Sequence, residues 1–481
     1  MNKTEVLKST GSRIAQIENL KSGYFEVGSV SLTDIPPLCR AVIESAPGKG
    51  SFIRSEVWMP EKWNGIFIGL GNGGMAGSIN YPTLAHYVRL GYAAANTDLG
   101  TSRGVNSGIE NPDVWKDFGW RATHIMTVVS KALIKEHYSR KESYSYFIGE
   151  STGGQQAFSQ AQRFPEDYDG IIAGVPANNR IFLHTYFLWN HNHLRTPDGR
   201  VMFSPEETAL ITECAAEFFQ LKGDGIPGDT FVTFPYQTPS TVADFISFLN
   251  DKNPGFTKEQ RDALYAVYTG PVSPKGGIQI YNGMPIGSEI YYCGIEDCQG
   301  EESPHYYPFI WAFGENYNPY EFDFEADLHR LDGILSEDLN ANNPDLTEFR
   351  KRGGKMIAFS GSADPCVPYP DALKYYNRVC EKAGGYQETA TFFRYFIFPG
   401  KDHGGAGKGT NRIYSADGKN DILFSLRNWC EQGREPEYLI ASHDGLGDSC
   451  QSLNFPRKIY PYSADKEEIK DYPKSCDENI L

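Results

Sequence analysis

The 481-residue chain has no apolar run that approaches the ~20 residues needed to span a bilayer. Its first 30 residues carry Lys and Glu throughout and lack the continuous apolar segment of a secretory signal. Positive charge is also in deficit, with 45 Lys and Arg against 61 Asp and Glu and a formal net charge of −16. A phosphate backbone would meet an unfavourable field. We therefore expect a cytoplasmic protein that binds neither membranes nor nucleic acids.

Cysteine is too sparse and too scattered for a complete disulfide framework. The chain has nine cysteines, an odd number, which fits reduced thiols better than a set of bridges. Cys293 with Cys298 and Cys450 with Cys476 could pair. Buried small hydrophobic side chains are the favoured interpretation of all nine.

The segment 144–157 carries the most informative pattern. An aromatic, apolar run suited to a buried strand meets Gly149-Glu150-Ser151-Thr152-Gly153, and a helix-favouring stretch follows. This is the local order of a nucleophile elbow, in which Gly149 and Gly153 omit Cβ atoms that would clash in a tight turn. Ser151 Oγ would stand clear of the sheet, beside the first amides of the helix. The pattern indicates acyl transfer, and an ordinary turn is the alternative.

A glycine-rich run lies upstream of this segment. Residues 65–70 predict a buried strand that opens onto Gly71-Asn72-Gly73-Gly74-Met75-Ala76-Gly77. An oxyanion hole needs a second backbone donor that side chains do not obstruct. We expect the amide of Thr152 and one amide from Gly73 or Gly74 to be the donors. A flexible turn is the alternative interpretation.

Two later strand-and-loop patterns supply candidates for an acid and a base. The segment 354–365 predicts a strand that ends in a loop bearing Asp364, and residues 392–398 predict a strand that leads to His403 in a glycine-rich loop. The chain order Ser151, Asp364, His403 resembles that of the α/β-hydrolase triad. In isolation, the Asp-Pro pair at Asp364 would be a turn former.

Strand and helix patterns alternate around these motifs. We expect a half-exposed antiparallel strand over 51–58, strands over 91–97 and 169–176, a long amphipathic helix over 113–138 and a closing helix over 421–430. This order predicts an α/β fold with a mostly parallel central sheet.

The texture changes between residues 178 and 350. Aromatics, prolines and glycines are dense there, and helical patterns are short. We interpret this stretch as a large inserted lid domain with an aromatic-lined pocket. The predicted domains are the first part of the core over 1–177, the lid over 178–350 and the second part of the core over 351–481, which is polar and irregular from residue 435.

From about residue 37 to residue 409 the chain resembles the tannase and feruloyl esterase family of α/β-hydrolases. The matching stretches are 71–77, 97–100, 119–124, 145–149, 162–170 and 352–355, and several of them have no generic hydrolase explanation. The resemblance implies an α/β-hydrolase fold with a lid between the serine half and the Asp/His half. It also implies a carboxylic ester hydrolase with Ser151 as nucleophile, Asp364 as acid and His403 as base, acting on esters of gallate or hydroxycinnamates.

The chain departs from that family on both sides of the predicted site. The family has a cysteine before the serine and another after the histidine, joined by a disulfide, and here Glu150 and Gly404 stand at those positions. Both cysteines are missing together, which is consistent with a reducing compartment. We hypothesise that the Glu150 carboxylate approaches the amide of Gly404 or Gly405 and holds the histidine loop, a contact worth ~1.5–3 kcal/mol if buried.

Metal ligation has little support in the sequence. The family's lid often carries a calcium loop with repeated Asp-Gly steps, and Asp224 and Asp229 keep part of that pattern with altered spacing. A Gly/Pro/Asp turn is favoured there. His191 and His193 are interpreted as ordinary polar side chains. We expect no cofactor, with calcium at Asp224 and Asp229 as the alternative.

The sequence therefore predicts two-step acyl transfer on a small aromatic ester by a Ser-His-Asp mechanism. One alternative is an esterase or acyltransferase that acts on another aryl ester, such as a terephthalate ester. Another is a catalytically silent protein that binds phenolic ligands. The acyl group, the alcohol and the oligomeric state stay open at this point.

Overall fold

The structure is a computed structural model that describes residues 2–196, 199–226, 228–233, 235, 237–291, 306–318, 321–443 and 457–463. It divides into two compact units. The first unit comprises Met1–Arg180, Tyr307–Tyr317 and Gly333–Met356, and the second comprises Ile181–Tyr306, Asn318–Asp332 and Ile357–Leu481.

Strands and helices alternate through much of the described chain. In chain order the strands are β1 (Ser12–Leu20), β2 (Gly23–Val27), β3 (Val30–Ile35), β4 (Leu38–Ser45), β5 (Ile53–Pro60), β6 (Ile66–Leu70), β7 (Ala93–Thr97), β8 (Tyr144–Glu150), β9 (Gly170–Gly174), β10 (Lys355–Gly361), β11 (Phe393–Phe398), β12 (Arg412–Tyr414), β13 (Leu439–Ser442) and β14 (Arg457–Ile459). The α-helices are α1 (Lys3–Ser9), α2 (Tyr81–Arg89), α3 (Pro112–Lys116), α4 (Ala122–His137), α5 (Thr152–Arg163), α6 (Arg180–His193), α7 (Pro205–Leu221), α8 (Pro239–Lys252), α9 (Lys258–Thr269), α10 (Tyr307–Phe313), α11 (Ala326–Leu339), α12 (Thr347–Lys351), α13 (Tyr369–Ala383), α14 (Tyr386–Ala390) and α15 (Ile422–Gln432).

The strands of the first unit lie side by side in the order β1-β4-β5-β7-β6-β8-β9. β7, β6, β8 and β9 are parallel, as predicted, whereas β1, β4 and β5 pair antiparallel. Every residue of β6, β7 and β9 is buried. Full burial on both faces explains why these strands read as short continuous apolar runs.

β5 confirms the antiparallel strand expected near residues 51–58, but the expected half exposure is wrong. Arg54 is its only residue that is not fully buried. The polar position Glu56 is buried because Arg40 of β4 donates to its carboxylate from Nε at 2.7 Å and from Nη2 at 2.6 Å. Trp58 Nε1 also donates to Glu56 at 3.1 Å. Polar and apolar residues thus alternate along β5 because a polar residue is buried in an ion pair, and a half-exposed strand would show the same alternation.

The long helix expected over 113–138 is present with an internal irregularity. α3 and α4 are joined by a π-helical turn over Asp117–Arg121. Arg121 Nε donates to Asp117 Oδ1 at 2.5 Å, and Asp117 is fully buried. Burial raises the pKa of the Asp117 carboxyl to about 6.

The helices between residues 178 and 350 are longer than expected. α6, α7, α8 and α9 have 14, 17, 14 and 12 residues, so the prediction of short helical patterns is wrong. Two of these helices begin at capping boxes, Ser204 with Glu207 and Thr257 with Gln260. Both capping boxes are readable in the sequence and would have predicted the helix starts.

β10, β11 and α15 confirm the predicted strands and the closing helix of the second part of the chain. The prediction of irregular structure after residue 435 is wrong for β13 and β14, which join β12 in a three-stranded antiparallel sheet. β13 has four residues and β14 has three, so neither is long enough to show an alternating pattern.

The predicted boundaries at residues 178 and 350 stay predictions, as does the lid domain. The suggested pairs Cys293–Cys298 and Cys450–Cys476 lie outside the described residues. Cys39 and Cys214 are buried and carry free thiols. Within the described residues, no helix combines the length and the apolar character that crossing a membrane requires.

Candidate active site

Ser151 lies in a strained turn between β8 and α5. Its backbone has φ 60° and ψ −117°, a region that L-residues with side chains rarely adopt. The turn is fixed by its backbone, because Ser151 N donates to Gly174 O at 3.0 Å and Ala177 N donates to Ser151 O at 3.1 Å. Strand, strained serine and helix occur in the order predicted for a nucleophile elbow.

Two glycines, Gly149 and Gly71, approach the backbone of Gly153 too closely to carry a side chain, whereas a Cβ on Gly153 itself would meet its nearest atoms at a tight 3.2 Å. A Cβ built on Gly149 would lie 2.5 Å from the carbonyl carbon of Gly153, and a Cβ on Gly71 would lie 2.6 Å from the Cα of Gly153. The structure confirms that Gly149 omits a clashing Cβ and adds Gly71 from the upstream loop. The strand, the loop and the helix start therefore pack backbone against backbone.

The predicted oxyanion donors Thr152, Gly73 and Gly74 belong to the same unit as Ser151. Thr152 begins α5, and within the described chain its amide has no hydrogen-bond acceptor. The neighbouring Gly153 amide donates to Asn72 O at 2.7 Å. Thr152 Oγ1 donates to Gly74 O at 2.6 Å, which ties the helix start to the glycine-rich loop. Their shared role as donors stays a prediction.

Asn72 and Gln156 hold the glycine-rich loop, and sequence reasoning missed both roles. Asn72 N donates to Gln156 Oε1 at 2.8 Å, and Asn72 Nδ2 donates to Thr97 O at 2.8 Å. Gln156 Nε2 in turn donates to Thr123 Oγ1 at 2.7 Å. All these side chains are buried. Satisfied buried polar networks rigidify a site, so the loop is held in one conformation.

Arg180 is a second feature that the sequence did not reveal. It stands at the start of α6 with only 4% of its surface exposed. Its guanidinium donates to Gln155 Oε1 from Nε at 2.8 Å and to Thr152 Oγ1 from Nη2 at 3.0 Å. Arg180 therefore contacts the side chain of Thr152, and the backbone amide of Thr152 is a predicted oxyanion donor.

Asp364 and His403 are hydrogen-bonded to each other in the second unit. Asp364 is fully buried, and its Oδ2 lies 2.8 Å from His403 Nδ1. Its other oxygen accepts the amides of Cys366 at 2.8 Å and Val367 at 2.9 Å. The carboxylate is thus fixed by its own loop and directed at the imidazole, the geometry that an orienting acid requires. The Cys366 thiol lies within 4.8 Å of both groups.

The histidine loop is held by Asp402, another residue whose role the sequence did not reveal. Asp402 Oδ1 accepts the Gly405 amide at 2.8 Å, and Oδ2 accepts the Ala406 amide at 3.2 Å. The Gly405 amide therefore already has an acceptor in its own loop. Glu150 is exposed at the end of β8. A contact of Glu150 with Gly404 stays a prediction.

The three predicted catalytic residues are divided between the two units. Ser151 belongs to the first unit, whereas Asp364 and His403 belong to the second. Each half has the local geometry that was predicted for it. The convergence of the halves into one proton-transfer chain stays a prediction.

Asp229, one of the two residues considered as an alternative calcium site, does not fit that ion. Both oxygens of the Asp229 carboxylate accept hydrogen bonds from Arg457, one of them at 2.9 Å, and Thr233 Oγ1 donates to it at 3.1 Å. A calcium ion would have to displace the guanidinium from a buried pair. In the described chain the Asp224 carboxylate has no such partner, and the Asp224 amide donates to Phe219 O at 2.9 Å.

A strained serine between a parallel strand and a helix, together with a late Asp–His pair, defines a protein of the α/β-hydrolase class. The fold agrees with that of solved esterases. An esterase from Aspergillus oryzae matches with a TM-score of 0.81 at 24% identity, covering 95% of this chain and 94% of that chain. Feruloyl esterase B from Aspergillus oryzae matches with a TM-score of 0.79 at 22% identity, covering 96% and 95%.

Sequence comparison specifies the family. The family model described as tannase and feruloyl esterase matches residues 39–302 and 316–474. Feruloyl esterase B from Aspergillus niger is 28% identical over 467 residues, covering 91% of this chain and 86% of that protein. The chain belongs to the tannase and feruloyl esterase family, and it is a carboxylic ester hydrolase.

Proposed function

We propose that the protein hydrolyses esters of phenolic acids, such as hydroxycinnamate or gallate esters, through an acyl-enzyme formed on Ser151. The observation that carries the proposal is the strained backbone of Ser151, with φ 60°, directly before a helix whose first amide has no acceptor in the described chain. Strain of this kind persists at functional sites when the surrounding structure over-determines it. The substrate class follows the relatives, among them a feruloyl esterase B.

The proposed reaction has two steps. Asp364 holds His403 through Nδ1, at 2.8 Å, so Nε2 is the atom that takes the Ser151 proton as Oγ attacks the ester carbonyl. The amides of Thr152 and of Gly73 or Gly74 receive the oxyanion. The proton on Nε2 then passes to the leaving alcohol. Water then gives a proton to His403 and attacks the acyl carbonyl. The bond between Ser151 Oγ and the acyl group breaks, His403 returns the proton to Oγ, and the phenolic acid is released.

The stretch 178–350 is proposed as a lid that supplies aromatic contacts to the acyl ring. Within the second unit, aromatic side chains pack densely; for example, the rings of Phe218 and Phe245 have centroids 5.4 Å apart. Many aromatic side chains in one unit are suited to lining a pocket for planar phenolic groups.

A reducing location is also proposed. The buried thiols of Cys39 and Cys214 support it, as do Glu150 and Gly404 at the positions where the family has paired cysteines. Millimolar dithiothreitol should leave turnover unchanged. A loss of turnover under those conditions would contradict the proposal.

Labelling with a fluorophosphonate tests the nucleophile directly. We expect the wild-type protein and the control Ser143→Ala, which alters an exposed serine, to be labelled, and Ser151→Ala to be unlabelled. A wild-type protein that resists labelling would indicate a silent binding protein instead.

A substrate panel tests the acyl group. Methyl ferulate, methyl gallate and chlorogenate should give higher specificity constants than methyl hexanoate, which shares the methanol leaving group of the two methyl esters but has an aliphatic acyl chain. A preference for methyl hexanoate would contradict the proposed substrate class.

A further inference from the structure

Arg180 carries a buried positive charge without a matching carboxylate. Only 4% of its surface is exposed, and in the described part of the chain no Asp or Glu side chain forms an ion pair with it. Burial of an ionised group is costly unless hydrogen bonds or opposite charge offset the loss of water. The retention of such a charge beside the turn that holds Ser151 therefore indicates a functional role.

Neutral groups hold the guanidinium instead. Nε and Nη2 both donate to Gln155 Oε1, with the Nε contact at 2.8 Å. The Phe118 ring lies beneath the guanidinium, 5.4 Å from its central carbon to the ring centroid. These contacts orient the planar group without neutralising it.

A further contact links Arg180 to both predicted oxyanion elements. Nη2 donates to Thr152 Oγ1 at 3.0 Å, and the same hydroxyl donates to Gly74 O at 2.6 Å. A hydroxyl has a single proton, so accepting from Arg180 leaves that proton for Gly74. The Thr152 amide nitrogen is three covalent bonds from this hydroxyl. A continuous relay therefore runs from Arg180 through Thr152 to the glycine-rich loop.

We infer that Arg180 is a positioning residue for the oxyanion hole: it sets the spacing of the Thr152 amide and the Gly73–Gly74 amides and adds a positive field where the oxyanion develops. The inference rests on the proposed function. Both effects act on charge that exists only in the transition state, so they change kcat more than KM. Arg180 is buried, so water screens its charge poorly.

Arg40 provides a matched control in the same unit. It is 5% exposed and lies over the Phe25 ring at 5.3 Å, much as Arg180 lies over Phe118. Its charge, however, is matched by Glu56 and Glu18, at 2.6 Å each. Arg40→Gln should lower stability and leave the kcat of the folded protein unchanged.

Steady-state kinetics on methyl ferulate separate positioning from a purely structural role. We expect Arg180→Gln to lower kcat by about 10- to 100-fold, the range that a displaced catalytic geometry produces, with KM within about threefold of wild type. Arg180→Lys keeps the charge but not the planar fork, so it should recover part of the loss. The affinity for an arylboronic acid, which forms a tetrahedral adduct on the serine, should fall in parallel with kcat.

Thr152→Val breaks the relay while it keeps the amide and the charge, and it serves if Arg180→Gln fails to fold. It should lower kcat by a similar factor, and the double variant with Arg180→Lys should lose less than the product of the single losses. Unchanged kcat in folded Arg180→Gln or in Thr152→Val, or an equal loss in Arg40→Gln, would overturn the inference. Fluorophosphonate labelling of wild-type Ser151 alongside such a result would leave the proposed function intact.

Discussion

Gly149→Ala tests whether close backbone packing positions the nucleophile. The added Cβ would lie 2.5 Å from the carbonyl carbon and 2.7 Å from the Cα of Gly153, where ordinary contacts begin near 3.4 Å. Both groups are backbone atoms, so no side-chain rotation can relieve the overlap. The strand end and the helix start must separate by about 1 Å.

The expected losses follow from that displacement. Overpacking of this size costs about 1–3 kcal/mol of stability. A misplacement of about 1 Å in a reacting geometry lowers turnover by roughly 100-fold. The loss should fall on kcat, because Ser151 and the predicted oxyanion donors move relative to each other while distant substrate contacts stay in place.

Urea denaturation measures the free energy of unfolding, and kcat on methyl ferulate reports the geometry. Gly333→Ala is the control, because Gly333 lies inside α11 and a Cβ there meets nothing within 4 Å. That variant should gain roughly 0.5–1 kcal/mol and keep its kcat. Wild-type stability and turnover in Gly149→Ala would refute the packing argument.

Other substitutions address the second half of the site and the π-helical turn. Asp402→Ala removes the acceptors of the Gly405 and Ala406 amides and should lower kcat about tenfold, with a steeper loss above room temperature as the histidine loop loosens. Asp364→Asn should lower kcat by about 10⁴. The free energy of unfolding, measured in parallel, should change too little to explain that loss by unfolding. For Asp117, burial raises the pKa from 3.8 to about 6, so its contribution to stability is complete below pH 3.8 and is lost as the pH rises to about 6. Asp117→Asn should remove a pH-dependent change of roughly 3 kcal/mol from unfolding curves recorded across that range.

The nucleophile segment was predictable because its constraints are local. A buried strand, two glycines and a helix start follow one another within 20 residues, and each imposes a short-range requirement on the sequence. The same holds for the strands that lead to Asp364 and His403. Their hydrogen bond links residues far apart in the chain, and only the known order of such motifs suggested it.

Arg180 was not predictable, because its role depends on packing. Nothing in the sequence distinguishes it from a surface arginine until Gln155 and Phe118 are brought around it. The burial of β5 was missed for a related reason, since Glu56 reads as a solvent-facing residue unless Arg40 is known to lie opposite it. Two helices of the second unit, α7 and α9, are a different case. Their capping boxes are present in the sequence, but the dense aromatics, prolines and glycines of this stretch led to a prediction of short helices.

The two halves of the proposed chemistry are assembled by different parts of the fold. The groups that meet the carbonyl, Ser151 with Thr152 and the glycine-rich loop, are braced entirely inside the first unit, and the groups that move protons are braced entirely inside the second. A substitution in one core can therefore retune proton transfer without disturbing recognition of the tetrahedral intermediate, and the reverse also holds. Such a chain can change its stabilisation of the oxyanion and its pH range along separate mutational routes.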